Sequence, residues 1–205
     1  MWTHTLEVVR CTPAEPGLRW AALLHDVGKP GTRSSGPDGE GHFHGHEARS
    51  LALAGAILER LKASHALRDG VLALIRHHGA HPAEAWSDGA CRRFLRRLAE
   101  DGLDLQRWAA FQLADHQGKG REVEAREREH GQVLARLEAL AAAAPPLSVK
   151  DLALDGAALM KLVGRSGGPW LGELQRQLLV AVMDDPSLNG AEALAEVARK
   201  LMASD

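Results

Sequence analysis

One stretch constrains the fold of this chain more than any other. A mostly apolar run from Leu18 leads directly into adjacent His25 and Asp26, and Gly28 and Lys29 follow at once. Burying a carboxylate beside an imidazole costs free energy unless a partner compensates for the lost water. A divalent cation can do so, because it binds both carboxylate oxygens and neutral imidazole nitrogens. Neighbouring residues of a helix point about 100° apart, so further helices must close around such an ion.

The remaining sequence pattern is helical throughout. Apolar residues recur at helical spacing, and no segment of any length alternates with the period of a strand. We expect Gly28 to cap the second helix, Asn189 to begin the last one, and Pro37-Asp38-Gly39 to form a tight turn in a loop over 32–45. The fold class is therefore predicted to be all-α. The predicted helices cover residues 2–10, 18–26, 46–61, 67–79, 88–98, 103–116, 121–140, 155–163, 170–183 and 191–202.

Composition and one linker indicate how the chain is divided and which partners it can have. The segment AAAAPPLS at 141–148 separates a predicted helical domain over 1–140 from a C-terminal helical tail over 149–205. A formal charge of -2 predicts no extended surface for a polyanion, although a local phosphate pocket remains compatible with it. Two cysteines without metal or redox spacing indicate a reduced, cytoplasmic setting, and no apolar run predicts a membrane span. A basic stripe is either a solvated face or a local RNA contact: Arg92, Arg93, Arg96 and Arg97.

Several imidazoles and carboxylates stand on, or at the edge of, predicted helices. Six mixed ligands exceed the needs of one tetrahedral zinc ion and suit two ions about 3.5–4 Å apart that share a bridging carboxylate. Asp26 is the best candidate for the bridge because it lies centrally among the others. Manganese, nickel, cobalt, zinc and iron all remain open as the metal. The candidate ligands are His4, His25, Asp26, His46, Asp115 and either His77 or His78.

Five motifs in order carry a resemblance to a known family. They are HTLEVV at 4–9, LLHDVGKPGTRS at 23–34, HFHGHE at 42–47, LIRHH at 74–78 and LADHQGKGR at 113–121. They resemble the HD-domain metal-dependent phosphohydrolases, and above all the HD-bearing C-terminal region of bacterial tRNA nucleotidyltransferases, the CCA-adding enzymes. The tail after residue 148 is similar to the final helices of those enzymes. The resemblance implies an HD-domain bundle with His4, His25, Asp26 and Asp115 on one ion, and His46 with His78 on the second.

The resemblance also implies an activity. No segment like the polymerising head of those enzymes precedes His4 in this sequence, so we expect hydrolysis rather than nucleotide addition. The implied substrates are 2′,3′-cyclic nucleotides or RNA-end phosphates, as in a stand-alone RNA-repair or nucleotide-salvage enzyme. Two alternatives stay open, a non-catalytic tRNA-binding module and a di-iron oxygenase, and the oligomeric state is open too. Candidate catalytic residues are Asp26, Lys29 and His77, and candidate phosphate-binding residues are Arg33, Lys119 and Arg121.

Overall fold

The structure is a computed structural model that describes residues 2–35, 41–80, 82, 85–120, 122–143 and 148–203. Within these residues the fold is all-α, as predicted, with one antiparallel pair of two-residue strands, β1 (Ser34–Ser35) and β2 (Gly41–His42). The turn expected at Pro37-Asp38-Gly39 lies outside the described residues. The described α-helices are α1 (Trp2–Cys11), α2 (Pro16–Leu24), α3 (His46–Arg60), α4 (His65–His77), α5 (Asp88–Glu100), α6 (Leu105–Gly118), α7 (Val123–Ala143), α8 (Gly156–Val163), α9 (Pro169–Asp184) and α10 (Ala191–Ala203).

Local sequence signals explain where most of these helices begin. Pro16 occupies the first turn of α2, where its missing N–H is not needed. Side chains accept hydrogen bonds from the free backbone N–H groups at three other starts: Ser64 before α4, Asp104 before α6 and Asp155 before α8. Asn189 does not begin α10, contrary to prediction. Its side chain bonds the backbone of Ala153 and Asp151, while the first backbone bond of α10 runs from Leu194 to Gly190.

The end of α2 differs from the prediction in a way that matters for the site. The helix ends at Leu24, and Gly28 has φ -79° and ψ -20°, so Gly28 is not a left-handed cap. A Cβ atom at Gly28 would lie 2.5 Å from the carbonyl oxygen of His46 and 2.6 Å from the amide nitrogen of Ser50. The glycine is therefore needed because the backbone after α2 runs directly against the start of α3.

The chain divides into two compact units, and the first contains residues 1–83 and 98–134. In this unit α1 packs against α6, α2 packs against α4, and α3 packs against α4. A Cβ atom at Gly118 would collide with Val8, which shows how closely α6 approaches α1. Buried apolar side chains fill the interior, including Val8, Leu18, Ala21, Leu58, Leu74, Ile75, Trp108 and Phe111.

The second unit contains residues 84–97 and 135–205. Its core is built from α8, α9 and α10 around Leu159, Leu178, Val182 and Leu194. The division thus runs through α5 and α7 and not through the segment 141–148, so the expected boundary between independent domains stays a prediction. None of the described helices has both the length and the apolar character that crossing a membrane requires.

Candidate metal centre

Five helices of the first unit bring six predicted ligands to one place. His4 comes from α1, and His25 and Asp26 follow the last turn of α2. The start of α3 supplies His46, the residue after α4 is His78, and α6 carries Asp115. The side chains line one cavity of about 290 Å³. They form two groups of three whose ligand atoms lie within 4.8 Å of one another: His4, His25 and Asp115, and Asp26, His46 and His78.

Asp26 belongs to the second group and also faces the first. Its Oδ2 atom is 3.4 Å from Nε2 of His25 and 3.9 Å from Nε2 of His4. Its other oxygen, Oδ1, is 3.5 Å from Nε2 of His46 and 3.9 Å from Nε2 of His78. One carboxylate oxygen therefore faces each group, which is the arrangement that a bridging carboxylate needs.

All four imidazole rings are held in the same way. Each Nδ1 atom lies at hydrogen-bond distance from a backbone carbonyl oxygen: 3.0 Å for His4 to Gly118, 2.9 Å for His25 to Ala22, 2.8 Å for His46 to Phe43 and 2.6 Å for His78 to Ile75. Because a carbonyl can only accept, each Nδ1 carries a proton, and Nε2 is the ring atom that is left to bind a cation when the ring is neutral. This is how metal-ligating histidines are usually fixed.

Burial and neighbouring charges shift the pKa values of the ligands. Burial by itself would lower the pKa of His25, but the carboxylates of Asp115 and Asp26 outweigh it and raise that pKa to about 9. Burial likewise opposes ionisation of Asp26 and Asp115. His25 above all, with Lys29, nevertheless holds the pKa of Asp26 well below its usual range. His25, with His4 and Lys119, does the same for Asp115. Burial is also the main cause of the lowered pKa of His78.

Two buried ligand atoms lack a good partner among the described residues. Nε2 of His25 and Oδ1 of Asp26 make no hydrogen bond of acceptable geometry, and the nearest oppositely charged atoms stand 3.4–3.5 Å away. A divalent ion would satisfy both atoms. Four imidazoles and two carboxylates fit manganese, iron, cobalt, nickel or zinc, whereas magnesium and calcium prefer oxygen ligands.

Two lysines at the cavity were among the predicted site residues. Nζ of Lys29 lies 2.5 Å from Oδ2 of Asp26, and Nζ of Lys119 lies 2.8 Å from Oδ2 of Asp115. Arg33 is exposed and does not line the described cavity. Arg121 lies outside the described residues.

The structure separates the two adjacent histidines that the sequence left as alternatives. Nε2 of His77 lies 2.7 Å from Oδ2 of Asp101, outside the cavity, whereas His78 lines it. Consecutive residues at a helix end point in different directions, and at the end of α4 the side chain that faces the cavity is that of His78. The catalytic role expected of His77 stays a prediction, and its ring lies outside the described cavity.

One residue at the cavity was not anticipated. Glu47 lines it, and Oε2 of Glu47 lies 3.4 Å from Nδ1 of His46. The only signal in the sequence was its place directly after His46, in the motif HFHGHE.

Comparison with known proteins gives the family. Residues 1–154 match the family model described as HD domain. The chain is 39% identical over 176 residues to the A-adding tRNA nucleotidyltransferase of Deinococcus radiodurans, covering 80% of this chain and 37% of that protein. It is 34% identical over 186 residues to the CC-adding tRNA nucleotidyltransferase of Thermus thermophilus, covering 88% of this chain and 40% of that protein. It thus spans about two fifths of the length of these two relatives.

No solved structure matches the chain. The family match covers well over half of the sequence and includes every residue of the two ligand groups. The chain belongs to the HD domain family.

Proposed function

We propose that this chain is a metal-dependent phosphohydrolase that acts on nucleotide or RNA-end phosphoesters, with 2′,3′-cyclic phosphodiesterase and phosphatase activity. The observation that carries the proposal is the position of Asp26, whose two oxygens face separate groups of ligands. The two lysines at the same cavity favour an anionic substrate. The names of the relatives, both tRNA nucleotidyltransferases, support an RNA-related phosphoester.

The side chains have distinct roles in this proposal. When bound, a pair of divalent ions would polarise phosphoryl oxygens and lower the pKa of a bound water. Asp26 and Asp115 supply the negative charge that holds cations, and the four histidines keep their Nε2 lone pairs directed inward through the bonds at Nδ1. Lys29 and Lys119 are partly exposed, so their ammonium groups can meet an incoming phosphate.

The proposed reaction is the hydrolysis of one phosphorus–oxygen bond. The oxygen of a water molecule bonds to phosphorus while the bond to a ribose oxygen breaks, and that ribose oxygen takes up a proton. Negative charge develops on the phosphoryl and leaving oxygens. Lys29 and Lys119 place positive charge at the cavity where it would stabilise these oxygens.

The arginine stripe gives no support to the RNA-binding alternative. Nη1 of Arg92 donates to the carbonyl oxygen of Met183 at 3.0 Å, and Arg93 pairs with Asp184. The guanidinium of Arg97 lies over the ring of Phe94, at 5.9 Å from its centroid. Three of the four arginines thus have partners within the protein.

The test is product release from 2′,3′-cyclic nucleotides with manganese, nickel, cobalt, zinc or iron. We expect turnover only with metal, and a loss of more than about 100-fold in Asp26→Asn, because even residues that merely support ligands contribute 10–100-fold. Asp69→Asn is the matched control, since Asp69 is an exposed carboxylate of α4. No turnover by metal-loaded protein would contradict the proposal. Oxygen consumption that depends strictly on iron would instead support the oxygenase.

A further inference from the structure

Phe43 lies between β2 and α3 and contacts two residues that line the metal cavity. Its carbonyl oxygen accepts a hydrogen bond from Nδ1 of His46 at 2.8 Å. Its half-buried ring lies against the ammonium group of Lys29, with Nζ 5.8 Å from the ring centroid. Phe43 thus holds one candidate metal ligand through its backbone and one cavity lysine through its ring.

Lys29 has two partners of different kinds. Its Nζ atom lies 2.5 Å from Oδ2 of Asp26, and its side chain is 24% exposed. An ammonium group has three donors, so this bond leaves two of them for other groups. A cation over an aromatic face, within about 6 Å of the centroid, is attracted by the ring. Lys29 is therefore held between a carboxylate and the ring of Phe43.

The carboxylate partner is one that a metal ion would share. Oδ2 of Asp26 also lies 3.4 Å from Nε2 of His25 and 3.9 Å from Nε2 of His4. It would be drawn to a divalent ion held by those histidines, and the ammonium group of Lys29 would be repelled by the same ion. The ring of Phe43 carries no charge, so its attraction for Lys29 would persist.

We propose that Phe43 is a positioning residue, whose ring keeps the ammonium group of Lys29 at the cavity while Asp26 binds metal. The inference rests on the proposed function, because the group that Lys29 then meets is the phosphate of the substrate. Lysine has a long, flexible stem, and without the ring that stem would carry the charge of Lys29 out into water. Phe43 acts through Lys29 and does not itself line the described cavity.

Binding of inorganic phosphate to the manganese-loaded protein tests this without any turnover. Phe43→Leu removes the aromatic face but keeps an apolar side chain and the carbonyl group that orients His46. We expect the dissociation constant of phosphate, measured by calorimetric titration, to rise about two- to fivefold, while manganese binds as in the wild type. Phe43→Tyr keeps the ring and should restore wild-type phosphate binding.

A double-mutant cycle shows whether Phe43 acts through Lys29. Lys29→Met removes the charge, and Phe43→Leu is added to it. We expect the double variant to bind phosphate as Lys29→Met alone does, because the ring then has no cation to hold. In the zinc-loaded wild type the ε-methylene protons of Lys29 should be shielded by the ring, and Phe43→Leu should shift their NMR signals downfield.

Three results would overturn the inference. They are wild-type phosphate affinity in Phe43→Leu, equal weakening by Phe43→Leu with and without Lys29, and weaker manganese binding by Phe43→Leu, which would indicate a purely structural role. The expected cycle for phosphate binding, without hydrolysis of any phosphoester, would contradict only the proposed function.

Discussion

Replacement of Gly28 by alanine should disturb the metal centre although Gly28 is not a ligand. The new Cβ would lie 2.5 Å from the carbonyl oxygen of His46, and ordinary contact begins at 3.4 Å, so the start of α3 must move by about 0.9 Å. Backbone atoms cannot rotate out of the way as a flexible side chain can. His46 moves with its own backbone, whereas metal sites tolerate changes of only about 0.2 Å in ligand distance.

The expected magnitude follows from two opposing effects. Overpacking of this kind costs about 1–3 kcal/mol, while alanine restricts the unfolded chain and returns about 0.4–1 kcal/mol. The φ of -79° at Gly28 adds no strain, because alanine adopts it readily. We therefore expect the metal-free protein to lose about 1–2 kcal/mol of unfolding free energy. Binding of the ion held by His46 should weaken at least about tenfold.

Urea unfolding in EDTA measures the first quantity, and calorimetric titration with manganese measures the second. Gly55→Ala is the matched control, because Gly55 lies in α3 and its nearest neighbour beyond the helix is 4.0 Å away. That change should stabilise the protein by about 1 kcal/mol through helix propensity and leave metal binding unchanged. The reasoning would be refuted if the Gly28→Ala protein were as stable as the Gly55→Ala protein and bound manganese with wild-type affinity.

Three further predictions concern the same unit. Gly118→Ala should lower the unfolding free energy by about 1–3 kcal/mol in urea unfolding, because its Cβ collides with Val8. Gly131→Ala, which has open space around it, should not lower it. Equal unfolding free energies for the two variants would contradict the prediction. The pKa of His25 is about 9 in the metal-free fold and 6.5 ordinarily, so protonated His25 adds to the free energy of unfolding in EDTA. That contribution is complete below about pH 6.5, and about 3 kcal/mol of it is lost by pH 9. A flat urea-unfolding profile over that range, or the same loss in His25→Asn, would contradict it. Lys119→Met should raise KM for a cyclic nucleotide about tenfold in steady-state kinetics; an unchanged KM would remove Lys119 from substrate binding.

Much of the helical framework could be predicted from the sequence because it depends on local signals. The last three helices begin and end within one residue or so of their predicted bounds, since Asp155, Pro169 and Gly164 mark them locally. The end of α2 could not be read in the same way. Gly28 looked like a helix cap, but its role is set by the approach of α3, which no local pattern reveals.

Some features of the site likewise follow from local sequence, and others follow only from the packing of the helices. The six candidate ligands were chosen from their motifs, and the resemblance favoured His78 over His77. That His78 and not His77 lines the cavity depends on the direction in which α4 ends. Three of the four Nδ1–carbonyl pairs join residues only three positions apart, but the pair of His4 with Gly118 spans most of the first unit and follows only from the packing of α1 on α6.

The division into units also depends on packing. A single helical pattern runs through α7, and nothing in it shows that residues up to 134 and those from 135 onward belong to different units. The prolines at 145 and 146 were the stronger local signal, so the predicted linker followed them.

The central claim is that Asp26 bridges two metal ions. Anomalous diffraction from crystals grown with manganese tests it most directly. We predict two peaks about 3.5–4 Å apart, one beside His4, His25 and Asp115, the other beside His46 and His78, with Asp26 contacting both. A single peak that leaves Asp26 without a metal, or two peaks outside this cavity, would contradict the account.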